Sequence, residues 1–295
     1  MTSPSTPTKL EVWKLAARPK TLPAAVAPVL VGMAVAWKSG GFRLGPALAC
    51  VLGALLIQIG ANIANDYFDY FRGADAGERL GPLRVTQAGL ATPAEVRLAM
   101  LLVFALAVLV GLYLAWAGGW PVIAIGLASI AAAVAYTGGP FPFGYYGLGE
   151  LFAFLFFGPV AVCGTVYVQM QAVPALALWA SLPLGFLVAA LLVVNNLRDI
   201  ESDRKVGKRT LAVRLGVRAT RGEYAILLAA AYLVPLVLSP AYGPWLLLSW
   251  GSLALVPDLL RVIFTQSGRP LNLALAGTGR LVLVYGVLLA LGMSV

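Results

Sequence analysis

Nine apolar stretches divide this sequence, near residues 22–37, 44–65, 97–117, 120–137, 149–170, 173–197, 224–240, 242–264 and 271–293. Most approach the ~20 residues that a helix needs to cross ~30 Å of hydrocarbon. Between them only 11% of the 295 residues are charged, while 60% are apolar. A soluble domain carries roughly 25% charged residues, so this chain cannot cover a water-facing surface. The stretches lack the period-2 alternation of a membrane barrel. An all-α, polytopic membrane helix bundle follows, with about nine spans, or eight if 224–264 is a single interrupted unit. The first stretch carries Pro23 and Pro28 and is short, so a kink or an earlier start is expected there. Residues 1–17 read as a polar, interfacial N-terminal segment and 18–295 as one transmembrane domain.

Basic residues set the expected orientation. With the N-terminus cytoplasmic, eighteen of the 21 Lys and Arg fall on inside segments and only Lys38 and Arg43 outside. That asymmetry satisfies the positive-inside rule and explains the net charge of +9 without nucleic-acid binding. The bacterial-type inner membrane is the expected location. No cleavable signal peptide is expected, because no small-residue site follows the first apolar run. Arg280 lies inside the last run and calls for a partner or a wet cavity. Histidine is absent, which removes Ser-His-Asp triads and most zinc sites. Cys50 and Cys163 stand alone in apolar runs and suggest no disulfide.

Seven of the twelve acids crowd into two short windows, each at the expected cytoplasmic end of a span. The first holds Asp66, Asp69, Asp75 and Glu78; the second holds Asp199, Glu201 and Asp203. On a helix Asn62, Asp66 and Asp69 share one face, as do Asn195, Asp199 and Asp203, with Asn65 and Asn196 close by. Two carboxylates ~5 Å apart repel by roughly 3 kcal/mol at an effective dielectric near 20. A divalent cation removes that penalty, and an all-oxygen donor set favours Mg²⁺ held by one or two carboxylates plus substrate phosphates. Arg72, Arg79, Arg84, Arg198 and Lys208 lie in or just after the same windows, where they can hold an anion. Acids for a metal among bases for an anion describe a site for a diphosphate carried as its magnesium complex.

At these residues the sequence resembles the membrane prenyltransferases of the UbiA superfamily. Asn65-Asp66-x-x-Asp69 matches the motif on the family's second helix, and Asp199-x-x-x-Asp203 the motif on its sixth. The commoner third Asp is replaced by Gly73, with Asp75 two further on, a variant similar to the 1,4-dihydroxy-2-naphthoate polyprenyltransferases of menaquinone synthesis. The stretches 18–32, 79–89, 136–150 and 195–216 resemble that branch too. The resemblance implies a helix bundle around a central cavity that opens to lipid beneath cytoplasmic loops. It implies Mg²⁺-dependent transfer of a polyprenyl group from its diphosphate to dihydroxynaphthoate, with loss of CO₂ and diphosphate, giving demethylmenaquinone.

Residue roles follow as expectations. Asp66, Asp69, Asp199 and Asp203 would ligate metal, with Asp75 a lesser candidate, and together with Lys208 they form the catalytic set. Asn62, Asn65, Asn195, Asn196, Arg72, Arg79, Arg84, Arg198 and Lys208 would surround the diphosphate. Lys20, Tyr136, Tyr145 and Glu150 are candidates for the aromatic substrate. Tyr67, Phe68, Tyr136 and Tyr145 could face an allylic cation. Rival readings are prenylation of hydroxybenzoate or homogentisate, and, from another class, a secondary transporter, which would scatter its charges near the bilayer midplane.

Overall fold

The structure is a computed structural model that describes residues 7–73 and 80–295. Asp75 and Arg79, two of the expected site residues, lie outside the described residues. A capping box opens the first helix, α1 (Lys9–Ala17): the Thr8 hydroxyl accepts from the Glu11 amide, and the Glu11 carboxylate accepts from the Thr8 amide at 2.7 Å. Arg18 then turns through φ 51°, and a one-turn 3₁₀ segment leads into α2 (Pro23–Lys38). These two helices meet at 52°, so the first apolar run is the second limb of a bent pair.

The bundle continues with α3 (Leu44–Phe71), α4 (Pro93–Gly118) and α5 (Pro121–Ala135). Thr92 and Glu95 repeat the capping box at the head of α4, and Pro93 and Pro121 sit where a missing amide costs nothing. Helices α6 (Gly149–Leu155) and α7 (Ala161–Met170) form one span joined by a π-helical turn at Phe156–Val160 that contains Pro159. Then come α8 (Ala175–Lys205) and α9 (Leu211–Tyr242), which breaks at Gly216 (φ 76°, ψ 170°), a conformation reserved for glycine. A 3₁₀ stretch at Pro244–Leu255 runs into α10 (Val256–Thr265), and α11 (Leu271–Ser294) closes the bundle.

Seven of the described helices are long and apolar enough to span a membrane alone, and the bent α1–α2 pair makes an eighth. The ninth expected span, α5, is apolar but only 15 residues long, about 22 Å at the helical rise. Helix α8 forms the axis: 72% of its apolar window is buried, against 22–44% for the others. Outer helices show Leu98, Leu102, Leu106 and Leu109 of α4 to the surroundings. Such a face suits a lipid solvent and would be untenable in water.

The structure also resolves Arg280. It projects outward from α11 beside Gly279, where an added Cβ would lie 3.1 Å from the Lys20 carbonyl. Arg280 therefore stands level with the short turn before α2 on the outer face of α11, exposed rather than buried against a partner.

Candidate active site

The C-terminal ends of α3 and α8 lie at the same end of the molecule, beneath two connecting segments, 136–148 and 206–210. The segments are tied by the Arg209 amide donating to the Tyr145 carbonyl at 2.8 Å. Beneath them is a cavity of 730 Å³. Its mouth carries Asp69, Arg84, Asp199, Asp203 and Lys208; its depth is lined by apolar side chains of α3 to α8.

Each carboxylate at the mouth has a cation of its own. Asp69, 4% exposed, accepts from Arg84 Nη2 at 2.6 Å and from the Tyr145 hydroxyl at 2.8 Å. Asp199 accepts from Arg198 Nε at 2.8 Å, and Arg198 Nη2 reaches its second oxygen. Asp203 Oδ1 lies 3.4 Å from Lys208 Nζ. Lys208 sits 5.3 Å from the centre of the Tyr145 ring, so the two acidic windows, distant in sequence, converge on one Lys–Tyr pair. Burial opposes the charge on Lys208, but Asp203, Asp69 and Asp199 outweigh it and hold the ammonium above its usual range.

The remaining expected residues divide. Asn65 and Asn195 line the cavity; Asn65 accepts from the Thr137 hydroxyl at 2.9 Å and Asn195 from Arg198 at 2.8 Å. Asn62 lines it too, but its amide donates to the Ala17 carbonyl and the Thr21 hydroxyl, fastening the α1–α2 elbow. Tyr136 heads an aromatic wall in which Phe143 stands edge-on to it at 5.5 Å and Phe152 stacks on Phe143 at 4.0 Å.

Asp66 is turned away from the cavity. Its Oδ2 accepts from the Val85 amide at 2.9 Å and its Oδ1 from the Thr86 amide at 3.2 Å, pinning the loop that hangs Arg84 over Asp69. Its neighbour one turn on, Asp69, points inward because the shared face is wide enough to serve both loop and cavity. Arg72 is likewise committed elsewhere, donating to the carbonyls of Thr137 (2.9 Å) and Gly139 (2.6 Å). Arg198 is buried behind Asp199, held by Asn195 and Asn272. Lys20 is exposed and off the cavity, since the Arg18 turn rotates it outward; Arg18 itself lines the cavity. Glu150 and Asn196 pair with each other at 2.7 Å, buried outside the lining. Tyr67 and Phe68 pack into the α1–α3–α4 core.

Sequence reasoning missed Asn272, which ties Arg198 to the Leu80 carbonyl, and the Phe152–Phe156 wall. The four-residue spacing of those two phenylalanines was a usable signal; nothing local marks Asn272.

Among the described residues no three His, Cys, Asp or Glu side chains are gathered into a ready metal cage. The donor chemistry nevertheless fits Mg²⁺. It is all oxygen, and Asp203 Oδ2 is buried without a hydrogen bond from any described residue, a donor left over for a cation. Mg²⁺ needs few carboxylates when phosphate oxygens complete its shell.

A membrane helix bundle with an acid-and-base mouth over an apolar chamber defines an integral, multi-pass membrane protein equipped for an amphiphilic anion. The model of the UbiA prenyltransferase family matches residues 25–272, and the chain belongs to that family. It is 43% identical to a 1,4-dihydroxy-2-naphthoate octaprenyltransferase of Mycobacterium tuberculosis, over 94% of this chain and 95% of that protein. To the protein of the same description from Escherichia coli it is 40% identical, over 86% and 84%. The fold is similar to that of a UbiA homolog from Archaeoglobus fulgidus bound to GPP and Mg²⁺, with a TM-score of 0.68, 15% identity, and coverage of 96% of this chain and 100% of that one.

Proposed function

We propose that the protein transfers a polyprenyl group from polyprenyl diphosphate to 1,4-dihydroxy-2-naphthoate, releasing diphosphate and CO₂ and giving demethylmenaquinol, the reduced form of demethylmenaquinone. The observation that carries the chemistry is the continuity of a charged mouth with an apolar chamber of 730 Å³. The acceptor rests on the near-full-length similarity to relatives described as naphthoate octaprenyltransferases.

In this reading the diphosphate lies at the mouth against Arg84 and Lys208, and the tail runs among apolar side chains, each buried CH₂ contributing ≈0.8 kcal/mol. Asp69, Asp199 and Asp203 would hold Mg²⁺, which when bound would supply positive charge beside the departing diphosphate. Cleavage of the C1–O bond sends the electron pair to the diphosphate. Fixed Arg and Lys donors stabilise that growing charge more than the ground state. Tyr136, Phe143, Phe152 and Phe156 present ring faces to the allylic cation, and the dry wall keeps water from quenching it. The naphthoate ring carbon bearing the carboxylate forms the new C–C bond. Loss of CO₂ then returns an electron pair to the ring, so no ring proton has to be removed.

A transporter would need charges along a path through the bilayer; the acids here gather at one end. The deciding assay supplies membranes with dihydroxynaphthoate, a polyprenyl diphosphate and Mg²⁺. Prenylated naphthoquinol, read as its air-oxidised quinone, should form and should vanish with EDTA; equal product with EDTA refutes the metal role. Hydroxybenzoate and homogentisate should compete poorly, and preference for either overturns the acceptor.

A further inference from the structure

A second, smaller cavity of 190 Å³ is lined in part by Tyr145, whose hydroxyl donates to Asp69 at the mouth of the first. Three arginines line it, Arg72, Arg209 and Arg214, with Tyr145, Tyr146 and Gly207. No carboxylate lines it among the described residues. Two of the three guanidinium groups are anchored by one edge to backbone carbonyls: Arg72 to Thr137 and Gly139, and Arg214 to Tyr146 at 2.8 Å. Each keeps further N–H donors, held in place before any ligand arrives. Arg209 is exposed and makes no side-chain hydrogen bond or ion pair with a described residue, while its amide holds the Tyr145 carbonyl.

The chain places these charges deliberately close to the mouth. Gly207, at φ +75°, turns the segment so that Lys208 lines the large cavity and the next residue, Arg209, the small one. Lys208 and Arg72 lie 5.3 and 5.4 Å from the centre of the Tyr145 ring. Planar guanidinium forks match phosphate oxygens two at a time. At ~30 Å³ per water, the volume admits a phosphate group with a few waters.

We propose that this cavity is a second anion site, distinct from the transfer site, that binds a phosphate-class group: inorganic diphosphate or the headgroup of an anionic phospholipid. It goes beyond the transfer reaction and does not depend on the identity of the acceptor.

The test uses the full chain in nanodiscs, as wild type, Arg209→Gln and Arg209→Lys. With Mg²⁺ and an unreactive prenyl thiodiphosphate present in excess, titration calorimetry in neutral phosphatidylcholine measures inorganic diphosphate binding. Native mass spectrometry from discs containing phosphatidylglycerol measures retained anionic lipid. Wild type should bind one of these probes at least tenfold more tightly than Arg209→Gln, with Arg209→Lys between, and the arm that responds identifies the source. Basal prenyl transfer in the Gln variant should stay within twofold of wild type, which certifies folding. If neither probe distinguishes wild type from Arg209→Gln, the second site does not exist. Loss of the transfer assay with Arg209-dependent binding intact would strike the proposed function alone.

Discussion

Aspartates that look equivalent in the two motifs do different work. Asp66 gives both oxygens to backbone amides of the loop, whereas Asp203 keeps a buried oxygen without a protein donor. Their amide variants should therefore separate. Asp203→Asn is expected to lower kcat at least 100-fold while leaving the thermal midpoint within a few degrees. In Asp66→Asn one acceptor oxygen becomes a donor facing an N–H group. Such a buried mismatch costs roughly 1–3 kcal/mol, seen as a lower midpoint alongside lost turnover. Equal midpoints for the two variants would contradict the division. The sequence shows the helical phase of each acid but not what will approach it. The amides of Val85 and Thr86 arrive from nineteen and twenty residues away, through a fold that periodicity does not encode.

At the scale of elements, the axis helix α8 depends on close approach. A Cβ on Gly158, in the π-helical turn, would lie 2.9 Å from the Gly185 Cα and from the Ser181 carbonyl, both backbone atoms. Gly158→Ala should force the span away from α8 and destabilise the protein by roughly 1–3 kcal/mol, measurable by thermal unfolding in detergent. An unchanged midpoint would mean the two elements are free to part. Gly111 of α4 and Gly126 of α5 behave oppositely, since both line the cavity and a Cβ on either meets nothing within 4 Å. Gly111→Trp should fit without loss of stability and intrude on the chamber. Its KM for an octaprenyl donor should rise severalfold more than for a geranyl donor, and equal changes would place the tail elsewhere. The helices themselves were legible from apolar length and from caps such as Thr92-x-x-Glu95. A kink or earlier start of the first span was expected from its length and prolines, but the place of the bend at Arg18, the π turn and the shortness of α5 were not legible, because hydropathy does not report backbone path.

For the whole molecule, the distribution of basic residues predicts an orientation that can be measured. A cysteine at Ser39→Cys should react with an impermeant maleimide from outside intact cells, and one at Arg204→Cys only after lysis. The native thiols give little background, with Cys50 buried and Cys163 half-buried. The reverse pattern would put the mouth of the cavity on the other side of the membrane.

By itself the sequence determined the solvent, the class of fold and the pairing of two acidic windows, because apolar length, charge asymmetry and helical phase are local or additive properties. The tertiary structure decided which acids face a common chamber, that Arg72 and Lys20 do not line it, and that Asn272 braces Arg198. Those assignments depend on which backbone amides and carbonyls fold over each side chain, and such partners are set by the packing of distant helices about α8.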